Sequence, residues 1–196
     1  MSTTTLIIII VVAVVVILLL ALFFAARRRR TQRSEQQRER TREEFGSEYE
    51  RTARERGSEE EAEKELRARR GRVERQVEPL SEESRGRYEE QWGEVERVFV
   101  ENPERSIEMA DRTVSDVLNE RNFVSDLAQS DEETERALAA MHPDISDDYR
   151  EARSIRADVV ARASRGSDEE PSEETTEELR QAIRKYRAVY QRLVRE

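Results

Sequence analysis

His142 is the only histidine of the chain, and Asp144, Asp147 and Asp148 follow it closely. An imidazole among carboxylates is the residue set of a metal site or of acid–base chemistry. One nitrogen ligand with carboxylates at the start of a helix is nevertheless a poor ligand set. The same aspartates suit the positive end of a helix dipole, so a packing and capping role is expected for this group. Carboxylate neighbours such as Glu89 and Glu90 recur along the chain. They fall on charged faces, without the burial that raises a catalytic acid's pKa. No phosphate-cradling glycine loop and no nucleophile elbow is present. The expectation is therefore no enzyme, with no catalytic, cofactor-binding or metal-ligating residue assigned.

Other residues stand out by type. Trp92 is the single tryptophan, and its place on an apolar helix face predicts core rather than a partner's anchor. Gly86 and Gly93 fall seven apart inside one predicted helix, where each costs about 1 kcal/mol relative to alanine. Close helix approach and tolerated drift both account for them. The chain has no cysteine, which removes disulfides, cysteine-type zinc sites and thiol catalysis. Its net charge of -9 argues against nucleic acid as the main partner, since phosphate binding needs a basic footprint.

Charge is distributed unevenly. Residues 6–26 contain no charged side chain, and every one of the 35 basic and 44 acidic residues lies beyond them. At about 1.5 Å per residue, this apolar stretch crosses a hydrocarbon core of ~30 Å. It must then be helical, because a lone segment in lipid has to satisfy its own backbone. A cleaved signal peptide fits poorly: no basic residue precedes the run, the run is too long, and arginines follow Ala25 and Ala26 at once. The flanking Arg27, Arg28, Arg29, Arg30 and Arg33 predict a cytoplasmic C-terminal side. The expectation is a single-pass protein of the plasma (cell) membrane, with its N-terminus outside and its body in the cytoplasm. The partner implied is the bilayer it spans; the arginines read first as a topology signal, diluted by Glu35, Glu39, Glu43 and Glu44, with contact to anionic lipid head groups as the alternative. Ala21 and Ala25 make a small-xxx-small pair, but alanines are common in such helices and no pairing is assigned to them.

Beyond residue 26 the apolar residues recur at helical spacing, with no period-two alternation. Pro79, Pro103, Pro143 and Pro171 all fall at breaks between those segments. Predicted helices begin at "SEYE" (Ser47–Glu50) and at "SEEE" (Ser58–Glu61), both read as capping boxes, with Gly57 as a stop between them. The second of these runs over 59–78, and further helices are expected over 82–101, 103–121, from "SDEE" (Ser130–Glu133) to Met141, 144–165 and 175–195. Leu66, Val73, Val77 and Leu80 form a narrow stripe whose two heptads are too few to claim more than a short coiled-coil seam. The organisation expected is all-α: an extracytoplasmic tail (1–5), a transmembrane helix (6–26), a charged helical stalk (27–80) and an antiparallel helical bundle (81–196).

Several stretches resemble an uncharacterised family of small bacterial, actinobacterial-type, single-pass membrane-anchored helical proteins, often labelled hypothetical or secreted. They are "FGSEYERT" (45–52), "PLSEESRGRYEEQWGEVERVFVENP" (79–103), "ADRTVSDVLNERNF" (110–123), "HPDISDDYREARSI" (142–155) and "LRQAIRKYRAVYQRL" (179–193). The resemblance covers nearly the whole chain. It departs after Arg121, where the family tends to have a Gly-Tyr-Pro-like turn and this chain has Asn122, Phe123 and Val124. It implies architecture and no catalytic residue. The functional expectation is a membrane-tethered protein-interaction or scaffold module, acting on a protein partner or assembling as a homo-oligomer. The alternative is a ligand-sensing or catalytic bundle with a pocket near His142 and the helix of Tyr149.

Overall fold

The computed structural model describes residues 38–123, 131–164 and 173–195. All regular structure among them is helical. Residues 38–44 belong to a separate N-terminal unit and are helical. The second unit, Phe45–Glu196, contains α1 (Ser47–Arg56), α2 (Glu59–Gln76), α3 (Glu82–Glu101), α4 (Pro103–Glu120), α5 (Asp131–Met141), α6 (Pro143–Ser164) and α7 (Glu173–Arg195). No helix among the described residues is long and apolar enough to cross a membrane. The expected span over 6–26, its tail and its arginine flank lie outside the described residues.

Local chemistry explains most of the helix ends. Ser58 caps α2 by accepting from the Glu61 amide at 3.2 Å, as the capping box predicts. Ser81 accepts from the Ser84 amide, and Asn102 from the Arg105 amide, each at 3.0 Å. Pro103 and Pro143 open α4 and α6, where a missing N–H costs nothing. Gly57 closes α1 at φ 80°. The reading of "SEYE" as a capping box needs correction. The cap position is Gly46 at φ 51°, with no side-chain cap bond. Ser47 lies one residue inside the helix, and its hydroxyl donates to Asp147 at 2.7 Å instead.

The turn after α4 is a Schellman motif. The Asn122 amide donates to the Asn119 carbonyl and the Phe123 amide to the Leu118 carbonyl, both at 3.0 Å. Asn122 holds φ 57°, a left-handed conformation that asparagine tolerates better than most residues. Phe123 and Leu118, the two positions that touch across such a turn, are both buried.

Paired contacts fix the helix directions. Trp92, Glu96 and Phe99 of α3 meet Tyr190, Arg187 and Ile183 of α7 in reversed order, so these helices run antiparallel. Tyr88 with Glu120 and Val95 with Ser106 make α3 and α4 antiparallel. Asp148 with Lys185 and Arg162 with Glu178 do the same for α6 and α7. The main core gathers Tyr88, Trp92, Val114, Leu118, Phe123, Leu138, Tyr149, Tyr186 and Leu193. These are the apolar stripes that amphipathic helices must bury against one another.

The segment expected as a charged stalk packs into this same unit from Phe45 onward. Val73 and Leu80 enter the main core, and Leu66 closes a smaller cluster with Phe45 and Tyr49. The stripe proposed for a coiled-coil seam is therefore covered within the chain. Its high charge does not require exposure, because its ions find partners on other helices.

Gly86 and Gly93 have no neighbouring atom within 4 Å of where a Cβ would stand. Close helix approach is thus not their reason. Replacing both by alanine should raise stability by about 1 kcal/mol each, read as the free energy of chemical unfolding. A loss of stability would show a constraint that the packing does not contain.

A buried ion network and an arginine-lined cleft as candidate site

Glu48 on α1 is 1% exposed, an unusual place for a carboxylate. Three arginines surround it. Arg51, one turn on, lies at 2.8 Å; Arg69 of α2 at 3.0 Å; Arg150 of α6 at 3.9 Å. The chain of ions continues through Arg150 to Asp147 at 2.6 Å and to Glu135 of α5 at 3.8 Å. Glu135 meets Arg153 at 3.4 Å, and Arg153 meets Asp111 of α4 at 3.5 Å. Asp111 accepts from the Tyr186 hydroxyl of α7 at 3.0 Å. One polar seam thus links α1, α2, α4, α5, α6 and α7.

Beside this seam, α2 and α5 enclose a cleft of about 290 Å³. Arg56, Arg69, Arg72 and Arg136 line it with Glu65, Glu133 and Gln76, and Val73, Phe123 and Ala137 supply an apolar part. Three of the arginines converge on one carboxylate: Glu65 is 3.2 Å from Arg56, 3.3 Å from Arg69 and 3.4 Å from Arg72. Burial opposes ionisation of Glu65, but Arg69 and Arg56 outweigh it and hold its pKa below the usual value. Arg136 turns instead toward Glu132 at 2.5 Å and Glu55 at 3.8 Å.

The residues singled out in the sequence are dispersed. His142 is buried in the link between α5 and α6, its ring 5.8 Å from that of Phe123. Its carbonyl accepts from the amides of Ile145 and Ser146, so the residue helps start α6. Asp144 is exposed, Asp147 pairs with Arg150, and Asp148 pairs with Lys185 at 2.8 Å. The structure therefore does not bring the three aspartates onto the imidazole, and no metal-holding cluster of such groups occurs among the described residues. Trp92 is core, stacked on Tyr190 at 4.5 Å, with its indole N–H donating to Glu96 at 2.7 Å. Glu89 and Glu90 are both exposed on α3. Sequence reasoning missed Glu48, Glu65 and the arginines around them. The i, i+4 spacing of Glu65 and Arg69 and the i, i+3 spacing of Glu48 and Arg51 were the local signals available.

The tyrosine hydroxyls record how dry the main core is. Burial, with the Glu120 carboxylate adding, pushes Tyr88 up to about 12. Burial, with Glu89 and Glu96, does the same for Tyr190. Burial and Asp111 also raise Tyr186. These groups stay protonated in the folded chain at pH values where the unfolded chain ionises near 10. For Tyr88 and Tyr190 the stabilising contribution is complete below pH 10 and is lost as pH rises from 10 through 12, while Tyr186, raised further, holds its proton throughout that window. Ionisation followed by ultraviolet absorbance should coincide with loss of helical circular dichroism in that window. Independent ionisation at pH 10 with the helices intact would contradict this packing.

No family model matches the chain, and neither does any curated protein or solved structure.

Proposed function

We propose that the protein is a membrane-tethered helical interaction module, held at the cytoplasmic face by residues 6–26 and presenting its bundle to a protein partner. The observation that carries the tether is the uncharged run ending at Ala26 with Arg27, Arg28, Arg29, Arg30 and Arg33 behind it. Those arginines also suit anionic head groups. The partner surface we favour is the groove of about 160 Å³ between α3 and α7, where Phe99 and Ile183 are only partly covered. Val100, 84% exposed, stands next to Phe99. Arg184, Arg187 and Glu96 rim the groove, with Arg187 paired to Glu96 and Arg184 to Glu177, so an apolar side chain with polar neighbours of both signs is the complement it fits.

A photo-crosslinker at Val100 in the full-length protein in cells tests this reading. The expected result is one protein adduct that disappears in Phe99→Asp and does not form from a crosslinker at the exposed Glu60. Lipid adducts alone, or the same adducts from both positions, would overturn it. An adduct of twice the chain mass would identify the partner as a second copy.

A further inference from the structure

The cleft between α2 and α5 has a feature that the interaction reading leaves unused. Glu65 brings one negative charge to three guanidinium groups, at 3.2–3.4 Å. Such contacts are longer than the roughly 2.7–2.9 Å of a well-made charged hydrogen bond. A carboxylate offers about four acceptor positions, and each guanidinium five donors, so the donors outnumber what Glu65 can accept. Arg56 and Arg72 are about half exposed, at 50% and 57%, and can reach a solute. Arg69 is 11% exposed and fixed from behind by Glu48 at 3.0 Å, which gives the group a rigid member. Phe123 and Val73 border the same space from the core and are almost wholly covered, so the surface a solute meets there is mainly the charged one. Four arginines and two glutamates, Glu65 and Glu133, line the cleft, a local positive balance in a chain with a net charge of -9.

We propose that this cleft binds a small oxyanionic ligand, a phosphate ester or a polycarboxylate, and that Glu65 occupies the ligand's position until displaced. Planar guanidinium forks match both oxyanions, so the shared chemistry is the oxyanion and the probes separate its two sources. The proposal does not depend on the membrane tether or on the groove between α3 and α7.

Full-length protein in a neutral detergent is titrated calorimetrically with pyrophosphate and, separately, with citrate. The wild type should bind at least one of them saturably in the millimolar range. Glu65→Gln should tighten that binding about tenfold by removing the internal competitor. Glu60→Gln, the same charge change at an exposed position of α2, should leave it unchanged. Arg56→Gln with Arg72→Gln should weaken it tenfold or more. Preference for pyrophosphate identifies a phosphate ligand; preference for citrate identifies a carboxylate. Absence of saturable binding in both wild type and Glu65→Gln would overturn the proposal. So would equal tightening by Glu60→Gln, because the effect would then be one of net charge.

Discussion

Arg121→Met should destabilise the unit by about 3–4 kcal/mol, among the largest losses expected from a single substitution. Arg121 is 4% exposed and lies just past the end of α4. Its guanidinium donates to the Leu193 carbonyl at 2.7 Å and to the Glu78 carbonyl at 3.2 Å. Its own carbonyl accepts from the Glu78 amide at 3.0 Å. One residue therefore ties the link between α2 and α3 to the ends of α4 and α7. The Leu193 carbonyl belongs to the last turn of α7, where a cation also complements the helix dipole. The ring of Phe123 lies 5.3 Å beneath the guanidinium carbon. Methionine fills much of the volume but leaves two carbonyls without their charged donor. Hydrogen bonds to charged groups contribute about 1.5–3 kcal/mol each. Lysine should restore only part of the loss, because a point charge cannot serve two divergent carbonyls as a planar fork does. Chemical unfolding gives the number, and a loss below 1 kcal/mol would show that the staple is not structural.

Glu48→Gln should cost about 3 kcal/mol and lower the melting temperature by roughly 6–12 °C. The cost comes from what is left behind. Removing one partner of a buried ion pair strands the other, and here Arg69 is itself largely covered. Glu48→Leu should cost at least as much, since the largely covered Arg69 then keeps only its longer 3.3 Å contact with Glu65 and no polar atom stands where Glu48 was. The effect should depend little on salt, because these ions are shielded from it. By contrast, removing the exposed Glu82 from its 3.9 Å contact with Arg85 should change stability by less than 1 kcal/mol. Equal losses at the two positions would contradict the burial assigned to Glu48.

The comparison of sequence with structure divides along a physical line. Helix ends were legible because Ser58, Asn102, Pro103 and Pro143 act through bonds within a few residues of themselves. Apolar stripes were legible because Trp92, Val114 and Tyr186 repeat at the helical period. "SEYE" misled because a local motif lost its serine to a distant carboxylate, Asp147. The fate of residues 45–80 was not legible, because a charged helix reads the same whether its ions meet water or another helix. Pairing Glu48 with Arg150 and Arg136 with Glu55 joins positions some eighty to a hundred residues apart, which no spacing rule reports. The cleft was hidden for the same reason. Glu65 and Arg69 form an ordinary i, i+4 pair, and only the fold adds Arg56 of α1 and sets Arg136 of α5 along the same wall.

Protease protection of the chain with a C-terminal tag in intact cells, beside carbonate extraction of their membranes, tests the tethering claim most directly. The account predicts a tag that stays with the membrane after extraction and resists external protease until the cells are permeabilised. Release of the tag by carbonate, or its digestion from outside intact cells, would contradict it.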